Sequence, residues 1–413
     1  MNIIYFTQFY PPENIAAAFR ARDHAYYWSK KDNQITVFTG YPNYPTGKIF
    51  DGYDVSSMQV SNDKGIRLIR SRLIAVANTN FIRRIINGVS FSFFGALNII
   101  FSKKKIGNNH EVVIATSGPV FTAYLGALYA KKNKLPLVVE YRDLSYAQLI
   151  ATGSSQIGLK VRLMKMLEVK AAKKADAVVV LTQGFKDLLE QEGIPEEKIF
   201  VIPNGADLHL TEGEIQEDSC VRLGYFGTIG LSQDICRTLD IVAALAMVQK
   251  INIKYTLIGE GAERKTTEQA LENNEYEFAE LLHGMSQDEL EKYYAKCDFT
   301  IVSLKNSESF STTIPSKIFQ SFARGVPVIF IGPEGEAADL ILQSKAGIVL
   351  CGTTEENKEK LIKFFLDEDY HDEVKKMREN AIGIMVEKYS REKLADNMLQ
   401  VVKKTAEGSR ACG

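Results

Sequence analysis

The run Pro315-Ser316-Lys317 carries the clearest chemistry in this 413-residue chain. Proline fits the first turn of a helix. The first amides of a helix lack internal partners and sit at the positive end of its dipole, which suits them to phosphate. Lys317 adds a positive charge there, and Gln320 follows on the same side, near enough to reach a sugar joined to that phosphate. Spacing alone equally allows an ordinary strand–helix unit with a surface lysine. The stretch Leu223-Gly224-Tyr225-Phe226-Gly227-Thr228-Ile229-Gly230 reads as a strand entering a glycine-rich turn, where backbone can approach phosphates. Arg142-Asp143 closes another apolar run; such a pair can hold a hydroxyl and help remove its proton, or form a local ion pair. Arg20 and Arg22 in the first helix, and His283 after Leu281-Leu282, read either as ligand contacts or as solvated surface residues.

These side chains need elements to position them. Ile301 to Leu304 closes a strand, Lys305 to Thr313 forms a polar loop, and Ile318, Phe319, Phe322 and Ala323 give the following helix an apolar face. Gly325 ends that helix and Val326 to Ile331 is the next buried strand. In a parallel sheet so built, ligands sit beyond the carboxyl ends of the strands. Strands are also expected at Asn2–Thr7, Ile35–Thr39, Val112–Thr116, Leu137–Tyr141, Ala177–Leu181 and Tyr255–Gly259. Helices are expected over 15–31, 156–174, 355–378 and 389–404, and from about Asp234 and Asp288; 211–219 is a polar, acidic exposed loop. Strand and helix alternate in both halves, which argues two doubly wound α/β domains.

Composition narrows the function. With 45% hydrophobic residues the chain can fill two ordinary cores. Cys220, Cys236, Cys297, Cys351 and Cys412 are scattered, with no Cys/His cluster, a pattern of a reduced compartment with neither disulfide framework nor zinc site. The start, MNIIYFTQFY, has no basic leader and reads as a first strand. Residues 1–205 hold 26 Lys/Arg against 16 Asp/Glu, whereas 206–413 hold 24 against 35. A basic first half suits membrane phospholipid, a lipid pyrophosphate or nucleic acid. No nucleic-acid-binding signature accompanies it, so no nucleic-acid partner is expected. Residues 85–101 are uncharged and flanked by Arg83-Arg84 and Lys103-Lys104-Lys105. They are short for a membrane span and contain Asn87, Ser90, Ser92 and Asn98, which leaves a helix buried on the sheet or an interfacial helix with cationic flanks.

The stretch TTIPSKIFQSFARGVPVI, from Thr312 to Ile329, resembles the donor-site signature of family 4 glycosyltransferases of the GT-B superfamily, in particular the WbuB-like O-antigen and capsule branch. Further motifs follow in the family's order: Pro11-Pro12-Glu13, Ser117-Gly118-Pro119, Arg142-Asp143-Leu144 and Val201-Ile202-Pro203-Asn204-Gly205. The resemblance implies two Rossmann-like domains facing an interdomain cleft: 1–203 on the acceptor side, joined by helix 389–404, and 204–388 for the nucleotide sugar. It implies transfer with retained configuration, with no metal or other cofactor, from a nucleotide diphosphate donor. The analogy favours uridine diphosphate bearing an N-acetylated deoxyhexose or hexosamine, with a lipid-linked glycan as acceptor. The enzyme would be cytoplasmic, peripheral on the anionic membrane. Carried over by position, Arg142, Asp143 and Thr312 are catalytic candidates. Gly227, Thr228, His283, Lys305, Thr313, Pro315, Ser316, Lys317 and Gln320 line the donor, and Asn14 and Arg20 the acceptor.

The chain departs from the family in places. Thr312 and Gln320 stand where many members carry two glutamates, Thr228 where an arginine is usual, and Asn14-Ile15 where others have a glycine pair. A GT-B sugar-nucleotide epimerase and a catalytically inactive partner subunit remain as alternatives.

Overall fold

A computed structural model describes residues 1–53, 55–78, 81–107, 109–151, 158–210, 220–249, 251–273 and 276–411. Cys412 and the expected loop 211–219 lie outside these residues. The chain divides into two compact units, Met1–Pro203 with Arg391–Gly413, and Asn204–Ser390.

In the first unit the chain runs β1 (Asn2–Phe6), α1 (Ala16–Ser29), β2 (Gln34–Gly40), β3 (Met58–Asp63), β4 (Ile66–Ser71), α2 (Phe81–Phe101), α3 (Lys103–Ile106), β5 (Val112–Thr116), α4 (Val120–Asn133), β6 (Leu137–Tyr141), α5 (Ser145–Ala151), α6 (Leu159–Lys174), β7 (Ala177–Val180), α7 (Gln183–Gln191) and β8 (Ile199–Val201). The sheet order is β3-β4-β2-β1-β5-β6-β7-β8, parallel except for the antiparallel β3–β4 edge. Every residue of β5, β6 and β7 is buried, so these strands read as continuous apolar runs. Alternate side chains feed two cores: Ile4 and Phe6 face one with Phe38 and Phe91, while Ile3 and Tyr5 face the other with Trp28 and Met398.

The second unit runs β9 (Cys220–Phe226), α8 (Ile235–Ala246), β10 (Asn252–Ile258), α9 (Arg264–Asn273), β11 (Ala279–Leu282), α10 (Gln287–Tyr294), β12 (Phe299–Ser303), α11 (Ser316–Phe322), β13 (Val328–Ile331), α12 (Glu336–Ser344), β14 (Gly347–Leu350), α13 (Thr354–Phe365) and α14 (Tyr370–Ile384). Its sheet is parallel throughout, in the order β11-β10-β9-β12-β13-β14. The last helix, α15 (Arg391–Ala411), returns to the first unit, where Trp28 Nε1 donates to the Ala395 carbonyl at 2.7 Å and Arg391 pairs with Asp23 at 2.9 Å.

Several expectations need correction. The helix expected over 355–378 is two helices, α13 and α14, and the motif Val201-Ile202-Pro203-Asn204-Gly205 begins at the end of β8, paired with β7. The β3–β4 hairpin lacked a strong apolar signal because β3 is an exposed edge strand, with only Met58 buried.

The largest correction concerns α2, which is long and apolar enough by length and composition to cross a membrane. Phe91 and Ile99 pack into the first core, but the rest of the buried face is polar or small. Asn87 Nδ2 donates to Asn43 Oδ1 at 2.9 Å, Asn98 Nδ2 to Ser71 Oγ at 2.9 Å, and Ser90 Oγ accepts from Ile74 N at 2.9 Å. Gly88 and Gly95 admit Pro119 and Leu125 so closely that a Cβ on either glycine would lie 2.6 Å from the neighbour. The apolar stripe Ile82, Ile86, Val89, Phe93, Leu97 and Ile100 is left exposed, at helical spacing. The helix thus lies against the first core, as one of the two readings expected, but buries Asn87, Ser90 and Asn98 beside Phe91 and Ile99 and leaves an apolar stripe outward.

Candidate active site

In the second unit three loops converge where their strands end. Gly227 N donates to Ile258 O at 2.8 Å, Ile229 N to Glu260 O at 2.9 Å, and Lys305 N to Ser232 O at 2.8 Å. Gly227 has φ +130°, and a Cβ there would lie 2.7 Å from Lys317 Cε; a Cβ on Gly259 would lie 1.8 Å from Gly227 O. Gly259 is therefore required by backbone approach, and Gly227 by its positive φ and by the Lys317 side chain against it. Gly227→Ala combines an unfavourable φ with displacement of Lys317, so it should cost about 1–3 kcal/mol of stability. It should also weaken ligand binding at Lys317; denaturation and calorimetry on the same variant measure both.

Lys317 Nζ lies 3.7 Å from the centre of the buried Tyr225 ring, hydrogen-bonds its hydroxyl and reaches Thr228 O at 3.5 Å. These partners are neutral, and burial pushes the ammonium down to about 7. An anion arriving here meets a lysine poised to take up a proton. Tyr225 went unrecognised in the sequence because an aromatic residue in an apolar strand looks like ordinary core.

The other expected donor residues are spread around this point. Thr228, Lys305 and Ser316 are exposed; Thr312, Thr313 and Pro315 are half-buried in the loop leading into α11. α11 is short and Pro315 at its N-cap gives no side-chain cap. Gln320 differs from expectation: its Oε1, the oxygen meant for ribose, accepts from Arg324 Nη1 at 3.0 Å. Arg324 is buried, paired with Glu291 and stacked on Tyr294 at 4.5 Å. One acceptor site of that oxygen is therefore taken, and a ligand competes with Arg324 for it or uses the second lone pair and the amide N–H groups. His283 is largely exposed; its Nδ1 lies 2.9 Å from Glu260 Oε1, which also accepts from Gly284 N at 3.2 Å.

The first unit uses its charges differently. Glu140, fully buried at the end of β6, pairs with Arg20 at 2.8 Å, lies 3.9 Å from Arg142 Nε and accepts from Tyr5 at 2.8 Å. Burial alone would raise its carboxyl, but Arg20 and Arg142 hold it down to about 2. Arg20 also donates to Pro203 O at 2.7 Å and Ile202 O at 2.9 Å. It is thus not a solvated residue, and it ties α1 to the end of the first unit. Arg142 donates to Ala17 O at 2.5 Å and keeps a buried Nη2 without a partner. The contacts of Arg142 are with Glu140 and Ala17, while Asp143 is exposed.

Glu168, buried on α6, accepts from Ser145 N at 2.9 Å and so positions the loop carrying Arg142 and Asp143; burial pushes its carboxyl up to about 7. Asn14 is exposed, whereas the adjacent Glu13 is buried and accepts from Asn43 N and Tyr44 N, both at 3.0 Å. Glu13 thereby staples the first loop without a glycine pair. The sequence signal for Glu140 was a lone carboxylate in an apolar strand, and for Glu168 a lone carboxylate in a lysine-rich helix. Among the described residues, no group of three or more His, Cys, Asp or Glu side chains could hold a metal ion.

Known proteins frame this geometry. Residues 30–205 match the family described as glycosyl transferase 4-like domain, and residues 223–384 match glycosyl transferases group 1. No curated protein sequence matches. Among solved structures, WaaG, a glycosyltransferase involved in lipopolysaccharide biosynthesis, is 14% identical with TM-score 0.67, over 97% of this chain and 99% of that one. Anabaena Alr3699/HepE in complex with UDP is 13% identical with TM-score 0.68, over 98% and 100%. The same protein with UDP-glucose gives 14% and 0.64, over 100% of both chains. With glycosyltransferase family matches over both of its Rossmann-like units, and a fold shared with these GT-B structures, the chain is a glycosyltransferase.

Proposed function

We propose that this glycosyltransferase moves a sugar, with retained anomeric configuration, from a nucleotide diphosphate held by the second unit to a lipid-linked glycan. The observation that carries the donor half is the cradle of Gly227 backbone and Lys317, a poised cation beside a glycine-lined opening. In the reaction the bond from the anomeric carbon to the diphosphate oxygen breaks. The acceptor hydroxyl oxygen bonds to that carbon, and its proton passes to a base, for which Asp143 is the candidate. Lys317 offsets the charge left on the departing diphosphate, the part that a metal plays elsewhere. UDP and UDP-glucose in the HepE structures support a uridine diphosphate donor, here with an N-acetylated deoxyhexose or hexosamine. The lipopolysaccharide role of WaaG supports a place in O-antigen or capsule assembly, as the WbuB-like resemblance does.

The acceptor half rests on the basic first unit and on the exposed apolar stripe of α2 between cationic flanks. These features suit a protein lying on the anionic cytoplasmic face of a membrane. A panel of nucleotide sugars screened by thermal denaturation tests the donor half, since a ligand that binds only the folded chain raises its melting temperature. At least one uridine diphosphate sugar should raise it, and the rise should shrink in Lys317→Ala. No shift with any nucleotide sugar would count against this reading.

A further inference from the structure

The first unit encloses a cavity of about 350 Å³ that the donor chemistry does not use. It lies between the loop after β1 and the starts of α2, α4 and α6, and its volume is within the range of small-ligand pockets. Phe81 and Ile85 of α2, Phe121 of α4 and Met164 of α6 make one wall apolar. The opposite lining is polar. Gln8 and Asn87 belong to an amide chain in which Gln8 Nε2 donates to Asn87 Oδ1 and Asn87 Nδ2 to Asn43 Oδ1. Gln8 is 2% exposed, yet its Oε1 has no partner. A buried acceptor without a donor is costly, and a hydroxyl-bearing ligand would relieve it. Arg84, exposed, adds a cation to the lining.

The apolar wall continues outward. Ile82 and Ile86 follow Phe81 and Ile85 on α2 and are exposed, as are Leu159 and Leu163 on α6 beside Met164. Lys160 lies 5.9 Å from the Phe81 ring, which brings the starts of the two helices together. An apolar path therefore leads from the outer face into a pocket that also offers a cation and a waiting hydroxyl acceptor. A free sugar phosphate would leave the apolar wall facing water, and a hydrocarbon would leave Arg84 and Gln8 unused.

We propose that this cavity takes the head-proximal apolar segment of a lipid phosphate that carries the acceptor sugar, so that the chain is drawn into the protein and not left on the membrane surface. The proposal rests on the lipid-linked acceptor proposed above. The test uses the full-length chain and farnesyl diphosphate carrying a diazirine on its first isoprene unit, with inorganic pyrophosphate as the headgroup control. Crosslinks should fall on peptides containing 81–87 and 118–122, and farnesyl diphosphate should bind at least tenfold more tightly than pyrophosphate. Ile85→Trp and Val76→Trp, which fill the cavity from two sides, should each weaken farnesyl diphosphate binding at least tenfold while leaving the melting temperature and nucleotide-sugar binding unchanged. Equal affinity for pyrophosphate, or crosslinks confined to the outer stripe at Val89, Phe93 and Ile100, would overturn the proposal. So would unimpaired transfer to a lipid-linked acceptor by both tryptophan variants, an outcome that leaves the lipid-linked acceptor itself intact.

Discussion

Binding of a nucleotide sugar should draw a proton onto the protein, and Lys317 should be its destination. In the donor-free chain, burial holds this ammonium at about 7, against an unfolded value of 10.5. A diphosphate esterified at both ends has no proton to exchange near neutrality, so uptake reports on the protein. Below pH 6 Lys317 is already charged and binding should be proton-neutral. Near pH 7 about half a proton should be taken up, and by pH 8.5 close to a whole one, with affinity falling up to tenfold per pH unit above 7. Calorimetry in buffers of different ionisation enthalpy measures this directly.

Lys317→Ala should abolish the uptake and weaken binding at pH 6.5 by about 1.5–3 kcal/mol, the range for a hydrogen bond to a charged group. Donor-free stability should move the other way. A lysine whose folded value is depressed destabilises the fold fully below pH 7, and the penalty fades as pH rises toward 10.5. Lys317→Met should therefore melt higher than the parent at pH 6, with the difference shrinking in alkaline buffer. Proton uptake that persists in the variant would place the titrating group elsewhere.

The second large effect concerns α2. Phe93 and Ile100 are 59% and 50% exposed on its outward stripe. Burying each in a membrane interface is worth about 1.5–3 kcal/mol, so replacing both with glutamate should weaken binding to anionic vesicles by at least about a hundredfold. Folding stability should change by about 0.5 kcal/mol or less, as for other exposed sites. Binding by the parent should be salt-sensitive through Arg84 and Lys103 to Lys105. Flotation that is equal on neutral and anionic vesicles would refute the electrostatic part, and flotation unaffected by the double substitution would refute the assignment of the face.

The sequence was legible where one property decided position. Buried parallel strands such as VVIAT are almost wholly apolar, and Gly325 followed by Pro327 marks the end of α11, so the central strands of both sheets could be placed, whereas β3, β4, β8 and β14 were not. It was least legible where burial inverts the usual rule. α2 hides Asn87, Ser90 and Asn98 beside Phe91 and Ile99 and shows a stripe of hydrophobics, because the Ile74 backbone, the Ser57 carbonyl and the Ser71 hydroxyl offer hydrogen bonds that no linear pattern encodes.

Side-chain partnerships across long separations were equally hidden. Arg20 looked available until Glu140 and the carbonyls at 202 and 203 engaged it, and Gln320 looked unencumbered until Arg324 bonded to its oxygen. Lys317 was found from its neighbours in sequence. Its lowered affinity for a proton comes from burial in the folded chain, where its nearest partner, Tyr225, lies 92 residues away.

The most direct test of the account is a turnover assay with the full chain, a nucleotide sugar identified by thermal shift, and membrane lipid bearing glycan acceptors. The account predicts release of nucleoside diphosphate that requires the lipid acceptor, persists in EDTA, falls in Lys317→Ala, and yields a glycolipid with the donor's anomeric configuration. An epimerised sugar formed without acceptor would contradict it in favour of the epimerase. Donor binding with no product under any acceptor condition would instead identify an inactive partner subunit, in which Thr312 and Thr228 mark lost catalytic groups.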